Sequence, residues 1–263
     1  TPRYWRRMAG DTWGSFGWWR GVPESEEAPV SESNGIGLLN ESSLHRALKE
    51  RYAGPGDLVE AVVDGYVVDV VRADELVEVQ TSTFSAIRDK LRALLESHQV
   101  RVVDPIAPRS WIVRVAPETG ELLGRRRSPK RGAPLEVFHE LVYVPDLFMT
   151  PGFSLDLVLI EQEEVRCPDG RGSWRRRGMS VVDRRLLRVV DTRTIRCGRD
   201  LLALLPDTLA GPFTNRALAA EAGIPRRLAQ RVTYTLRRCG ALDEAGKAGR
   251  EPLFVPAREG AAY

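Results

Sequence analysis

LVEAVVDGYVVDVVRADELVEVQT, residues Leu58 to Thr81, is rich in valine and broken twice by turn residues. β-Branched side chains favour a pleated backbone, so the stretch divides into strands at Leu58 to Val63, Tyr66 to Arg72 and Glu75 to Thr81. Asp64-Gly65 is a strong signal for a two-residue hairpin, and Ala73-Asp74 serves as a second, weaker loop of the same length. Loops this short set the pairing of the strands they join. Counting back from Arg72 opposite Glu75 places Asp69 opposite Glu78, and counting back from Val63 opposite Tyr66 places Glu60 opposite the same Asp69. Three carboxylates are therefore expected in a row on one face of the sheet.

Helical signals flank this stretch. Upstream, Leu44, Ala47, Leu48 and Tyr52 recur at helical spacing, with Asn40 as the expected N-cap, and Gly54-Pro55-Gly56 ends the helix. Glu41 precedes Leu44 and Leu48 at i+3 and i+7, lies along the same stripe, and is expected to face the sheet. Downstream, Ile87, Leu91, Leu94 and Leu95 predict a helix from about Phe84 to Ser97, followed by strands near Val100 to Asp104 and Trp111 to Val115. The order is α-β-β-β-α-β. Between Ala116 and Arg199 the sequence reads as a basic loop from Arg125 to Arg131, a helix near Leu135 to Tyr143, a strand at Leu155 to Glu161, a Gly/Arg-rich turn at Asp169 to Gly178 and a strand near Leu186 to Arg193.

Like charges directly opposite one another destabilise a sheet, so a row of acids needs something to neutralise it. Raised carboxyl pKa values would do so, and a hard divalent cation, which takes oxygen ligands, would do so more economically. The same alternation also describes the solvated face of an antiparallel sheet, with Glu41 merely complementing a helix N-terminus. His45, His98 and His139 are scattered and read as ordinary surface or core residues. A glycine-rich phosphate loop, a nucleophile elbow and a dinucleotide fingerprint are all missing from the sequence.

Composition excludes other classes. An apolar fraction of 43% with 29% charged residues is that of a globular chain, and no apolar run reaches the length of a bilayer span, so no membrane partner is expected. Thr1 to Ser33 lacks the order of a signal peptide, which makes the cytoplasm the expected compartment. Cys167, Cys197 and Cys239 are too widely spaced for a disulfide framework or a zinc site. Residues 1–33 carry Trp5, Trp13, Trp18 and Trp19 without periodicity and read as an appendage whose aromatics pack onto the core, the commoner use of tryptophan, or onto nucleic-acid bases. Acids outnumber bases from Asn34 to Asp104, whereas Arg166 to Asp200 and Gly211 to Gly240 are strongly basic.

From Asp200 the pattern changes to short helices at Leu201 to Leu205, Thr214 to Ala222 and Pro225 to Cys239. Small residues, the Gly223 turn and a restarting helix carry the signature of a helix-turn-helix. Leu228, Val232 and Leu236 form its buried stripe, and Arg226, Arg227, Gln230, Arg231 and Tyr234 lie off it as candidate DNA-binding residues. Ala241-Leu242 and Pro252 to Val255 flank a loop as a hairpin. The segment resembles a winged-helix domain, which implies DNA as partner, and Arg125, Arg126 and Arg127 add a further basic stretch suited to phosphates.

The helix with Glu41, the strand with Asp69, Glu78-Val79-Gln80 on the next strand and the helix that follows resemble the PD-(D/E)XK nuclease superfamily. The resemblance implies an α/β (α+β) domain over residues 34–199, restriction-endonuclease-like with a mixed sheet flanked by helices, joined to a small winged helix over residues 200–263. It implies that Asp69, Glu78 and the Val79 carbonyl bind Mg²⁺ or Mn²⁺, with Glu41 joining them; Glu60 enters the metal set through its place in the row. Gln80 stands where the family usually has a lysine that positions the attacking water. Lys90, on the following helix, is the expected substitute for it. The implied activity is divalent-metal-dependent DNA endonuclease hydrolysis of phosphodiester bonds, in restriction, defence or repair. The alternative is a DNA-binding regulator whose inactive nuclease-like core is a scaffold or a homodimer surface.

Overall fold

The computed structural model of the chain describes residues 41–257 apart from 177 and 210. The Trp-rich stretch 1–33 and the expected N-cap Asn40 lie outside them. Helix α1 (Ser43–Tyr52) is capped by Ser42, whose hydroxyl accepts the His45 N–H at 3.3 Å. Then come β1 (Leu58–Val63), β2 (Tyr66–Val71), β3 (Leu76–Val79), α2 (Arg88–Leu95), β4 (Val100–Val115), β5 (Leu122–Arg127), the one-turn helix α3 (Phe138–Leu141), β6 (Phe153–Cys167) and β7 (Ser180–Ile195). The strands form one mixed seven-stranded sheet in the order β1-β2-β3-β4-β6-β7, with β5 on β4. β4 runs parallel to β3 and β6, and the remaining pairs are antiparallel.

The β1–β2 turn is the two-residue loop expected: Val63 pairs with Tyr66, and Asp64 and Gly65 take φ of 48° and 83°, the left-handed pair that matches strand twist. The second hairpin keeps the counted register, with Val70 opposite Val77.

The expected helix from Phe84 to Ser97 is a 3-10 turn, Phe84–Ala86, followed by α2, and the strands expected at 155–161 and 186–193 are longer, as β6 and β7. Three further elements differ in kind. The two strands read at 100–104 and 111–115 are one, β4, which changes neighbour along its length. It pairs with β3 over Val100 to Val103 and with β5 over Trp111 to Val115, and β6 runs beside both parts. Pro105 and Pro108, which offer no N–H, sit around the changeover, where the pairing with β6 shifts between Ile106 and Arg109. Second, Arg125 to Arg127 belong to a strand, β5, because the second half of β4 presents an open edge whose hydrogen bonds outweigh the polar composition. Third, the helix near Leu135 to Tyr143 is a 3-10 turn, Pro134–Val137, followed by α3.

One face of the sheet carries α1, over Leu44, Leu48, Val70, Val77, Val79, Val103, Val158 and Ile160. The other carries α2, α3 and the C-terminal elements α4 (Gly198–Leu202), α5 (Asn215–Glu221), α6 (Arg226–Arg238) and the hairpin β8 (Leu242–Ala248) with β9 (Glu251–Pro256). Phe213 bridges to Phe254, tying the segment before α5 to the hairpin. The apolar cluster on this face runs without a break from Val68, Phe84 and Leu91 through Phe138 and Leu155 to Leu201, Leu228, Val232, Leu236 and Phe254.

Candidate active site

The counted register is present, but the acids do not share a face. Asp69 turns toward α1: its Oδ2 accepts the Val79 N–H at 2.8 Å and lies 3.2 Å from His45 Nε2. Glu78 turns toward α2, where its Oε1 lies 2.5 Å from Lys90 Nζ. Glu60 has φ of 54°, a left-handed kink that takes it out of the regular ladder and brings its carboxylate to Lys49. The expected row is thus broken at Glu60 by the kink and at Asp69 by the end of the β2–β3 pairing, which covers Val70–Val77 and Val71–Leu76 and leaves the Asp69 carboxylate to accept the Val79 N–H.

Helix α1 supplies cations to the acids on its side. Glu41, His45 and Lys49 fall at i, i+4 and i+8 and therefore line one stripe. Lys49 is 5% exposed, and its Nζ touches Glu60 and lies 2.6 Å from Glu41. Burial alone would lower its pKa, but the two carboxylates outweigh that and hold it above the ordinary lysine value. The hydrogen bond to Asp69 raises His45 despite partial burial. Burial works against the Asp69 charge, yet His45 and the Val79 N–H hold it below the usual carboxylate range. The neutralisation that a row of acids requires is met on this side by protein amines.

On the α2 side the balance is reversed. Glu78 is 5% exposed, and burial pushes its pKa up while Lys90 and the Asp69 N–H offset only part of the shift. Lys90 Nζ also donates to the Val67 carbonyl at 2.5 Å, and its contact with Glu78 Oε1 is an ion pair without the angle of a directed hydrogen bond. Gln80 follows directly after β3, with its Nε2 donating to the Thr83 carbonyl at 2.5 Å. Among the described residues no three His, Cys, Asp or Glu side chains stand close enough together to hold a metal ion.

The sequence reading passed over three residues. His45 and Lys49 were visible as the i+4 and i+8 partners of Glu41. Asp104 was not, because its neighbour Glu140 arrives from α3. Burial and Glu140 push the Asp104 carboxyl up to about 8.

The basic residues divide as well. Arg125 is held in the structure, donating to Glu163 at 2.7 Å with its guanidinium 4.9 Å from the centre of the Trp111 ring. Arg126 and Arg127 are exposed. On α6, Arg226, Arg227, Gln230 and Tyr234 are exposed, whereas Arg231 is half-buried and donates to the His139 carbonyl at 2.9 Å.

No solved structure matches the chain. A protein of Treponema pallidum (strain Nichols), described as uncharacterized, is 35% identical over 221 residues, covering 83% of this chain and 86% of that one. No helix among the described residues is long and apolar enough to cross a membrane. Residues 42–196, which run from the cap of α1 to the end of β7, match a family model, and the chain belongs to that family, the Domain of unknown function (DUF8091).

Proposed function

We propose that the chain is a divalent-metal-dependent nuclease that hydrolyses phosphodiester bonds in DNA, with a restriction-endonuclease-like core and a C-terminal winged helix that docks the duplex. The observation that carries this reading is the ion pair of Lys90 with Glu78 beside Asp69, within an α-β-β-β-α-β order whose fourth strand runs parallel to the third. Gln80 cannot supply a positive charge. Lys90, from the following helix and paired with Glu78, is the residue we take to supply it instead.

Taken one by one, the donors are of the chemistry that takes Mg²⁺ or Mn²⁺. Glu78 is a buried carboxylate whose Oε1 lacks a directed hydrogen bond, Asp69 is held ionised, and hard cations favour oxygen ligands. The resemblance gives the ion to Asp69, Glu78 and the Val79 carbonyl; because Asp69 is turned to His45 of α1 and Glu78 to Lys90 of α2, the two carboxylates would have to swing to a common side to hold it. Glu41 and Glu60 already have Lys49 and are outer members at most. Bound there, a divalent ion would supply a water of lowered pKa and would stabilise charge on the phosphoryl group. Lys90 would orient the scissile phosphate, and His45 holds Asp69 in place. The exposed arginines of α6 take the duplex backbone, with Gln230 and Tyr234 beside them for base edges.

Cleavage of labelled single- and double-stranded DNA with Mg²⁺, Mn²⁺ or EDTA tests this. Metal-dependent cutting is expected, falling at least about 100-fold in Asp69→Ala, Glu78→Ala and Lys90→Ala, a loss in the range for one electrostatic catalytic group. A second reading, a DNA-binding regulator on an inactive scaffold, is favoured by Gln80 being spent on Thr83. It predicts binding that is indifferent to metal and to those substitutions, and no cutting.

A further inference from the structure

Helix α6 divides its arginines between two uses. Arg226 and Arg237 are paired with Glu251 and Glu244 of the β8–β9 hairpin. No described carboxylate pairs with Arg227 or Arg231. The Arg231 guanidinium donates to the His139 carbonyl at 2.9 Å and lies 3.1 Å from His139 Nδ1, so its charge is met only by neutral acceptors. The chain between β5 and α3, which carries Lys130, is pinned to β4 by the Gly132 N–H on the Ala107 carbonyl. The charges of Arg231, Lys130 and Arg227 all bear on the His139 ring. Two acids stand nearby. Glu140 accepts the Phe84 N–H at 3.1 Å, and half-buried Glu136 feels Lys130.

Cationic side chains from two segments, α6 and the chain before α3, face the seam between α3 and α6 and repel one another unless an anion lies among them. The seam continues the exposed face of α6 that carries Gln230 and Tyr234, side chains suited to base edges. From the seam, Glu140 reaches Phe84, and Thr83 beside it accepts Gln80 of the sheet motif. An extended, evenly spaced polyanion fits this layout better than an isolated phosphate. We propose that Lys130, His139, Arg227 and Arg231 form a phosphate-binding seam for a DNA duplex, holding its backbone between α6 and the sheet. The proposal rests on the DNA-binding half of the reading above and is independent of hydrolysis.

Proton linkage follows from the geometry. Arg231 can only donate, so His139 Nδ1 accepts and the ring is neutral with its proton on Nε2. Burial and the cations Arg231, Lys130 and Arg227 keep the ring below its ordinary value, and Glu140 opposes them. A phosphate entering the seam reverses that balance. His139 takes up a proton, its Nδ1 turns from acceptor to donor, and Arg231 is released to the phosphate. Duplex affinity therefore rises as pH falls from 7.5 to 5.5.

The experiment is binding of a fluorescent 20-base-pair duplex by the full chain in EDTA, across salt concentrations and at both pH values. In Lys130→Ala and Arg227→Ala, affinity at ~0.1 M salt is expected to fall about 3–10-fold and the salt slope to shrink by about 0.9 for each phosphate that is no longer neutralised. In His139→Gln the gain at low pH disappears. Arg51→Ala, at the exposed end of α1, leaves affinity and slope unchanged, and thermal melting confirms that every variant is folded. Wild-type affinity and slope in the seam variants, an equal loss in Arg51→Ala, or displacement of the duplex by phosphatidylserine vesicles would each overturn the seam. Because EDTA removes metal, a chain that never cuts DNA still tests it, and a chain that cuts while its seam variants bind normally refutes it alone.

Discussion

Asp104 keeps some solvent contact, yet enough protein surrounds it that burial and the Glu140 carboxylate push its pKa up to about 8. The unfolded chain ionises this group near pH 4, whereas the folded chain does so only near pH 8, so stability is fully present below the unfolded value and is lost as pH rises between the two. Asp104→Asn removes the titration while keeping the shape. Its melting temperature should equal that of the wild type at pH 3.5 and exceed it by roughly 10 °C or more at pH 8, read by differential scanning calorimetry. An equal difference at both pH values would mean that proton linkage is not the cause. At this scale the sequence was partly readable. Asp69, Glu78 and Glu60 could be placed by counting from two turns, and Lys90 came from the resemblance. The side to which each acid points was not readable, because the positive φ at Glu60 and the approach of Lys49 are settled only when α1 docks. His139, read as an ordinary residue, depends in the same way on α6 arriving over α3.

Elements were most legible where local chemistry decides them. Asp64-Gly65 specifies its turn, and the stripes of α1 and α2 specify those helices. β5 was missed because it exists only by virtue of the free edge of β4, a non-local fact. The C-terminal helices were legible from small-residue spacing, but the tightness of their packing was not. A Cβ on Gly198, in α4, would lie 2.8 Å from the Cys239 carbonyl oxygen and 3.0 Å from Ala241 Cβ, at the end of α6. On propensity alone, alanine would stabilise a helix relative to glycine by about 1 kcal/mol. Overpacking wins here: Gly198→Ala is expected to destabilise the protein by about 1–3 kcal/mol, seen as a lower urea midpoint with an unchanged slope. A gain in stability would show that α4 can move away from α6 at little cost.

Across the whole molecule, the family match ends at residue 196, and an organisational boundary was expected at residue 200, yet the apolar cluster crosses both positions. Removing everything after Cys197 takes α6 away from α3 and from the turn Pro145–Met149, which packs beside it. The shortened chain is expected to aggregate or to bind an apolar dye strongly. The full chain should melt in one transition whose calorimetric and van't Hoff enthalpies agree. Two separate transitions, with a soluble 1–197 fragment, would show that the halves fold independently. The opposite end of the sheet faces a different hazard. β1 is an outermost strand and leaves Leu58, Val59 and Val62 exposed, the kind of border on which chains stack into aggregates. The left-handed turn at Glu60, held by a buried lysine, interrupts that border midway and sets a charge beside it. The same ion pair that settles the acids beside α1 thus also guards solubility, making the border a poor template for a neighbouring molecule.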